Sequence, residues 1–188
     1  MRIISGNYKG KKILLPKDKL TRPLKDLTKE SIFNIIKHSK LLDINLENSN
    51  ILDLFSGVGS FGLECLSRGA ASVTFLESYK EVLIILKKNI DNLKQQSSSN
   101  IIEKDIFSEN TLKALNNKFD IIFMDPPFKE KKLTDLLNMI IKLKLLKDNG
   151  VIIIHRHKKE EDVFPNKFNI IIEKNYGISK IIFGKTLS

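Results

Sequence analysis

The residues that most directly suggest chemistry are Asp125, Pro126, Pro127 and Phe128, which follow an apolar run at 119–124. Two consecutive prolines remove two backbone N–H donors, so that a carboxylate, carbonyl oxygens and an aromatic ring remain. Acceptors beside a stacking face fit a flat substrate with an exocyclic amine, and they would orient that amine to attack a methyl group. The alternative is a plain proline turn that ends a strand. The motif does not by itself choose among adenine, cytosine and guanine.

A glycine-rich pattern, D-L-F-S-G-V-G-S-F-G, occupies residues 53–62. Its glycines, Gly57, Gly59 and Gly62, match G-x-G-x-x-G, and Glu77 follows Gly57 by twenty residues. This spacing also fits a dinucleotide-binding loop, so NAD is one candidate cofactor. Asp53 separates the candidates, because its carboxylate would repel a pyrophosphate but attract the amino group and sulfonium of S-adenosylmethionine. The pattern therefore favours S-adenosylmethionine.

Three further residues are candidate cofactor contacts. Phe55 follows the first apolar strand, and Asp105 with Ile106 follows the third. A carboxylate and a backbone N–H at that place suit the adenine amino group and ring. Two alternatives stay open: Asp105 caps a helix predicted at 110–116, and Glu77 caps the helix after the second strand.

No metal site is expected in the H-R-H sequence at 155–157. Our interpretation is that His155 and His157 point to opposite faces of a strand, with no Cys, Asp or Glu at ligand spacing. Cys65 lies in a predicted helix and is expected to be a small core residue rather than a nucleophile.

An alternation of strands and helices would bring these candidate residues to one site. Apolar runs predict five strands, near 51–55, 72–76, 101–105, 119–124 and 150–155, separated by helices near 60–68, 79–93, 110–116 and 132–145. Continuous apolar strands that alternate with helices indicate a parallel sheet covered on both faces. Two more extended runs, 168–174 and 179–184, predict a C-terminal hairpin around Tyr176-Gly177. A short hairpin over 2–15 and a helix at 26–38 precede this α/β pattern.

Charge is concentrated at the N-terminus. The 188 residues have 32 Lys and Arg against 22 Asp and Glu, a net charge of +10. Residues 1–40 contribute +8 of it, which uniform genomic bias toward lysine does not explain. We therefore expect a basic extension at 1–40 that holds a polyanion, most simply nucleic acid, and a methyltransferase domain at 41–188. The candidate nucleic-acid contacts are Arg2, Lys9, Lys11, Lys12, Arg22 and Lys25.

The composition also bears on the cellular location of the protein. No apolar run reaches the ~18–20 residues of a membrane span, and the N-terminus lacks the features of a signal peptide. One cysteine, Cys65, cannot form an internal disulfide. We expect a cytoplasmic protein.

The chain resembles bacterial methyltransferases that act on the N2 amine of one guanine in 16S ribosomal RNA, the guanine-966 type. The resemblance covers nearly the whole chain and rests on R-I-I-S-G-x-x-K-G-K at 2–11, T-R-P-x-x-D-x-x-K-E-x-x-F-N at 21–34, L-D-L-F-S-G-V-G-S-F-G-L-E at 52–64, S-R-G-A at 67–70, D-P-P-F at 125–128 and Y-G-I-S-K at 176–180. The first two blocks are the specific ones, because unrelated methyltransferases share the central pair.

This resemblance implies a Rossmann-like class I S-adenosylmethionine-dependent fold, with a seven-stranded, mostly parallel sheet and an N-terminal hairpin and helix that help hold RNA. It implies that Asp53, Gly57 and Glu77 bind the cofactor, and that residues 125–128 hold the guanine. The substrate would be 16S rRNA in assembled or partly assembled small ribosomal subunits, and we expect a monomer. Members of the family often have Glu where this chain has His155, and more Arg where it has Lys9, Lys11 and Lys12.

Three other functions remain alternatives. One is a DNA adenine-N6 or cytosine-N4 methyltransferase, which shares D-P-P-F but usually needs a larger recognition domain. The second is an NAD-dependent oxidoreductase, and the third is a non-catalytic RNA-binding module. Asp53 argues against NAD, and the length of 188 residues leaves little room for a DNA-recognition domain.

Overall fold

A seven-stranded sheet forms the centre of the protein in a computed structural model that describes residues 1–16 and 24–187. The strands are β1 (Asn50–Leu54), β2 (Ser72–Leu76), β3 (Ser99–Ile102), β4 (Phe119–Met124), β5 (Leu146–His157), β6 (Phe168–Tyr176) and β7 (Ser179–Thr186). They lie in the order β3-β2-β1-β4-β5-β7-β6. The first five pair in parallel, and β7 is antiparallel to both of its neighbours. The predicted mostly parallel α/β fold is confirmed.

Helices cover both faces of this sheet. They are α1 (Asp26–His38), α2 (Ser60–Ser67), α3 (Lys80–Asn92), α4 (Glu109–Lys113) and α5 (Leu133–Lys142). Alternate residues of each strand contribute to opposite cores: Ile51 and Phe123 pack with α1, α2 and α3, whereas Leu52 and Met124 pack with α4 and α5. Strands buried on both faces explain why their sequences read as continuous apolar runs.

Several boundaries differ from the prediction, and the clearest differences are at the end of α5 and the start of β5. Helix α5 ends at Lys142 instead of near residue 145, and β5 begins at Leu146 instead of residue 150. The chain turns between them through Lys144, whose φ is 51°, and the Leu145 N–H then bonds the carbonyl of Ile140. A left-handed residue closes the helix and releases the chain into an extended path.

The N-terminal hairpin is short but firmly attached. Its antiparallel pairing is a single bridge between Arg2 and Lys12. The turn packs on the end of α2: a Cβ on Gly6 would lie 1.8 Å from the carbonyl oxygen of Ser67, and the Asn7 N–H donates to that oxygen at 2.7 Å. Only a residue without a side chain permits this approach.

Buried charges hold the same segment in place. Glu64 is fully buried and accepts hydrogen bonds from the backbone N–H groups of Ile4 and Ser5, at 2.8 and 2.9 Å, and from Arg68 at 2.8 Å. Lys29, also fully buried, lies 3.5 Å from Glu64 and donates to the Arg2 carbonyl. Buried charges need such partners, so Lys29 belongs to the interior and not to a basic surface.

The first forty residues also share the main core. Ile3, Ile13 and Phe33 are buried in the same cluster as Phe61 and Phe123. The proposed division of the chain at residue 40 stays a prediction.

Candidate cofactor and acceptor site

A cavity of about 530 Å³ opens at the carboxyl ends of the parallel strands. Ligands bind at this edge in open α/β sheets. The cavity brings together ten of the predicted cofactor and acceptor residues: Asp53, Phe55, Gly57, Glu77, Asp105, Ile106, Asp125, Pro126, Pro127 and Phe128. It also includes Lys25 from the predicted RNA contacts. Gly59, the remaining predicted cofactor residue, does not line it.

The loop after β1 has unusual backbone geometry. Phe55 has φ 60°, and Gly57 and Gly59 have φ 55° and 84°. A left-handed phenylalanine is sterically unfavourable, and such strain is common at ligand sites. Gly59 is needed for packing as well, because a Cβ there would lie 2.5 Å from Cδ1 of Leu86.

Gly62 serves the fold rather than the cavity. A Cβ on Gly62 would lie 2.3 Å from the ring of Phe75, so this glycine lets α2 approach the sheet. Its backbone N–H donates to Oδ2 of Asp53 at 3.0 Å. The glycine thus orients the carboxylate on which the choice of cofactor depends.

Asp53 is buried, and its surroundings disfavour negative charge. Burial raises its pKa to about 8, with further contributions from the nearby Asp125 and Glu77 carboxylates, and the Gly62 N–H only partly offsets this. At neutral pH these surroundings therefore favour the protonated acid. A cation in the cavity would favour the ionised form, since opposite charges attract strongly at a buried site.

Glu77 accepts backbone hydrogen bonds but does not cap α3, whose N-cap residue is Tyr79 and which has no side-chain cap. Its Oε2 accepts from the Gly57 N–H at 2.8 Å, and its Oε1 accepts from the N–H groups of Ser78 and Tyr79 at the start of α3. Oε2, which accepts one hydrogen bond, retains a lone pair for a ligand. Asp105 does not cap α4, which begins after Ser108; its Oδ1 accepts from Phe107 N at 2.9 Å.

Ser60 lines the cavity at the first residue of α2 and was not predicted as a site residue. Its hydroxyl oxygen is buried and has no hydrogen-bond partner among the described residues. An unsatisfied buried hydroxyl is costly unless a ligand or water completes it. Together with Asp53 and Glu77, it provides a set of polar groups that fits the amino-acid and ribose parts of S-adenosylmethionine.

Asp125 is held by a chain of side chains. Its Oδ1 lies 2.8 Å from Nδ1 of His155, and Nε2 of His155 lies 2.9 Å from the hydroxyl of Ser179. His155 and Ser179 also line the cavity and are nearly buried, with 6% and 4% exposed. Sequence reasoning did not assign either residue to the site.

The loop that follows Asp125 is fastened by Arg156. This arginine is 1% exposed; its Nη1 donates to the carbonyl of Pro127 at 3.2 Å, and its Nη2 to that of Glu130 at 3.1 Å. Its Nε and Nη2 also bind both carboxylate oxygens of Asp162, at 2.8 to 3.1 Å. A planar guanidinium has enough N–H donors to bind the carboxylate and both carbonyls at the same time.

The interpretation that His155 and His157 point to opposite faces is wrong. The Phe128 ring makes edge contacts with both, at centroid distances of 5.9 Å and 5.0 Å. Residues i and i+2 of a strand share a face. Even so, no group of three or more His, Cys, Asp or Glu side chains within the described ranges could hold a metal ion.

The predicted RNA contacts are surface residues where they are described. Arg2, Lys9, Lys11, Lys12 and Lys25 are exposed. Arg22 lies outside the described residues. In the same parts of the chain, no helix is long and apolar enough to cross a membrane.

The fold and the cavity define a Rossmann-like class I methyltransferase, a class whose methyl donor is S-adenosylmethionine. The chain belongs to the family described as Conserved hypothetical protein 95, whose model matches residues 1–185, and with it to the small-subunit ribosomal RNA methyltransferase D family. The predicted resemblance and fold are confirmed.

Several relatives match over nearly their full length. "Ribosomal RNA small subunit methyltransferase D" of Buchnera aphidicola (subsp. Acyrthosiphon pisum) is 35% identical over 92% of this chain and 86% of its own. The protein of the same name from Haemophilus influenzae is 32% identical, over 95% and 90% of the two chains. The structure titled "Putative methyltransferase yhhF from Escherichia coli" has a TM-score of 0.82 and 26% identity, covering 100% of this chain and 98% of that one.

Proposed function

We propose that this chain transfers the methyl group of S-adenosylmethionine to the exocyclic N2 amine of a guanine in 16S rRNA during maturation of the small ribosomal subunit. The observation that carries this proposal is a single cavity with a buried carboxylate, Asp53, at one side and the acceptor motif 125–128 at the other. The names of the relatives support ribosomal RNA as the substrate.

The cofactor would be held by groups from three loops. Asp53 would face its amino group and sulfonium, Glu77 its ribose hydroxyls, and the Asp105 carboxylate with the Ile106 N–H its adenine. Ser60 would donate its hydroxyl to the cofactor carboxylate, and Gly57, whose own N–H is engaged by Glu77, would leave room for it because it has no side chain. When bound, the cofactor supplies an activated methyl group.

The acceptor motif would orient the guanine. Asp125 and the Pro126 carbonyl would accept the two N–H bonds of the amine, favouring the tetrahedral nitrogen that attacks the methyl carbon. Phe128 would stack on the base. Pro127 shapes the loop, and its own carbonyl is already engaged by Arg156. Orientation and electrostatics would supply most of the rate enhancement, since proton loss from the methylated product is easy.

Mass spectrometry of rRNA from a strain lacking this gene, complemented with variants, tests the reaction. The wild-type gene should restore one N2-methylguanine in 16S rRNA, and Asp125→Ala should not, although its calorimetric affinity for S-adenosylmethionine stays near that of the wild type. Asp148→Asn, an exposed carboxylate on β5, is the matched control. Restoration by Asp125→Ala, or a methylated base other than guanine, would contradict the proposal.

Residues 1–40 would hold RNA through exposed cations. Deleting this segment would also remove core residues such as Ile3 and Ile13, so substitutions give the cleaner test. Replacing Lys9, Lys11 and Lys12 with Gln should reduce the slope of log K against log salt by up to about 2–3, because each lost phosphate contact contributes roughly 0.7–0.9.

The matched control replaces Lys118, Lys144 and Lys167, three exposed lysines that precede β4, β5 and β6 at the opposite end of the sheet. The same change in total charge should leave the slope nearly unchanged there. Equal slopes for the two triple variants would show that the N-terminal lysines do not contact RNA.

A further inference from the structure

We propose that His155 is a positioning residue for the acceptor carboxylate: it holds Asp125 as the neutral Nδ1–H tautomer, with Ser179 fixing that tautomer from the other side. The kinetic consequence rests on the proposed methyl transfer, whereas the tautomer can be tested without it. The observation behind it is the continuous chain from Asp125 through His155 to Ser179, with contacts of 2.8 and 2.9 Å.

The direction of each hydrogen bond follows from what the groups can do. An ionised Asp125 only accepts, so Nδ1 of His155 must carry the proton and donate. In a neutral imidazole the other nitrogen, Nε2, is then an acceptor, so the Ser179 hydroxyl must donate to it. At each of the two contacts one group therefore donates and the other accepts. The opposite tautomer would place a lone pair of Nδ1 against a lone pair of Asp125.

The strands hold these hydrogen-bonded side chains in place. Ser179 is the first residue of β7 and pairs across the sheet with His157, which puts its hydroxyl diagonally beside His155 on the same face. Because His155 and Ser179 are nearly buried, water competes little for either nitrogen. The imidazole is therefore clamped between two strands, and its Nδ1–H points at a fixed place.

The carboxylate gains a defined orientation from this clamp. Since Oδ1 is engaged by His155, Oδ2 is the oxygen left to accept an N–H from the substrate amine. A carboxylate free to rotate would present the amine with many geometries. Misplacement of reacting groups by about 1 Å can reduce a rate about 100-fold.

Variants of His155 separate positioning from simple packing. His155→Leu provides a side chain of similar size but no donor, and we expect kcat to fall about 10- to 100-fold while the affinity for S-adenosylmethionine stays within twofold. His155→Asn places an amide N–H near the position of Nδ1 and should recover most of kcat. Ser179→Ala should lie between them. KM for RNA should change little in the series.

Thermal unfolding of each variant distinguishes a folding defect from a positioning defect. If His155→Leu and His155→Asn lose the same activity, or if kcat of His155→Leu stays within twofold of the wild type, His155 does not position Asp125. Loss of cofactor affinity in proportion to kcat would likewise overturn the proposal.

The tautomer is observable in the free protein by ¹⁵N NMR of histidine side chains. The chain has three histidines, so the His155 signals can be assigned by their disappearance in His155→Asn. We expect the nitrogen shifts of the Nδ1–H form. An Nε2–H form overturns the proposal. An Nδ1–H form in a wild-type protein that transfers no methyl group to RNA would overturn the proposed function and leave the assignment of His155 standing.

Discussion

The two halves of the cavity hold their carboxylates in different ways. In the proposed cofactor half, carboxylates are bonded by backbone N–H groups, most of them nearby in the chain: Asp53 by Gly62, Glu77 by Ser78 and by the more distant Gly57, Asp105 by Phe107. In the acceptor half, Asp125 is held by the side chain of a residue thirty positions further on, His155. Local backbone geometry builds one half, and side chains from separate strands assemble the other.

This difference determines how each half can be perturbed. A backbone N–H survives almost any substitution, so the cofactor half is sensitive to changes in charge and backbone conformation. A side-chain donor is lost by a single substitution, so the acceptor half is sensitive to residues that never touch a ligand. The acceptor half should therefore contain the positions whose loss is most damaging.

Arg156 is the position where we expect the largest effect. Arg156→Met would leave the nearly buried Asp162 without its partner and would remove the guanidinium donors to the carbonyls of Pro127 and Glu130, of which that of Pro127 keeps the Glu130 N–H. Breaking a buried ion pair costs about 3–5 kcal/mol. Chemical denaturation should show a loss of unfolding free energy in that range, and methyl transfer should fall with it.

A double variant separates stability from positioning at the same place. Arg156→Met with Asp162→Leu removes both buried charges, so most of the stability should return. Methyl transfer should stay low, because the acceptor loop still lacks its donor. Lys180→Met, which removes a donor to the carbonyl of neighbouring Glu160, is the control and should retain activity. Full activity in the double variant would mean that Arg156 only stabilises the fold.

The same contrast explains what could be predicted from the sequence. Asp53, Glu77, Asp105 and Asp125 each follow an apolar run, and the carboxyl ends of parallel strands must meet at one edge. Their convergence therefore follows from topology. The partners of Asp125 depend on which side chain of β5 faces it across the sheet, and the assignment of His155 and His157 to opposite faces was wrong.

Buried ion pairs also depend on tertiary packing and could not be predicted from the sequence. Lys29, Glu64 and Arg68 lie in family sequence blocks, and the basic ones look like RNA contacts when only charge is counted. In the structure Glu64 binds both cations and fixes the N-terminal segment. An ion pair between residues 35 positions apart leaves no periodic signal, so only the folded structure identifies it.

Asp53 tests the cofactor half through charge. Because the pKa of Asp53 is about 8, this carboxyl group is mostly protonated at neutral pH. A bound cation would favour loss of that proton. Asp53→Asn should weaken binding of S-adenosylmethionine at pH 8 by about 1.5–3 kcal/mol, or about 10- to 150-fold. The ratio of wild-type to variant affinity, measured by calorimetry, should rise with pH up to about 8 and then level.

The same substitution has an opposite effect on the free protein. Asp53 retains its proton in the folded state up to about pH 8 but loses it near pH 4 when unfolded, so the folded state binds more protons between those values. Wild-type stability should then fall as pH rises through this window. Asp53→Asn should not show that decline. An affinity ratio independent of pH would contradict the role of Asp53 as the cation's partner.

Asn89 supports the cofactor half through its side chain, and we expect its replacement to have a smaller effect than that of Asp53. Its amide bonds both backbone groups of Leu14, at 2.8 and 3.2 Å, and the carbonyl of Val58 in the glycine loop at 3.0 Å. Asn89→Leu should reduce affinity for S-adenosylmethionine about three- to tenfold, about 0.6–1.4 kcal/mol, because Val58 loses a buried donor.

Exposed Asn92 on the same helix is the control, and Asn92→Leu should bind the cofactor normally. The Asn89 variant should also weaken RNA binding, since Leu14 adjoins the basic residues. Unchanged affinity for both ligands would mean that the glycine loop holds its shape without this contact, and that the cofactor half is entirely built by local geometry.

His157 marks the outer limit of the acceptor half and should show the smallest effect. It contacts the edge of Phe128 at 5.0 Å, but the chain to Asp125 passes through His155. An aromatic contact contributes about 0.5–1.5 kcal/mol, so His157→Ala should raise KM for RNA about two- to tenfold with kcat nearly unchanged. His38→Ala, an exposed histidine on α1, is the control for steady-state kinetics. If His157→Ala lowers kcat as much as His155→Leu does, the position of Phe128 rather than the orientation of Asp125 limits the reaction.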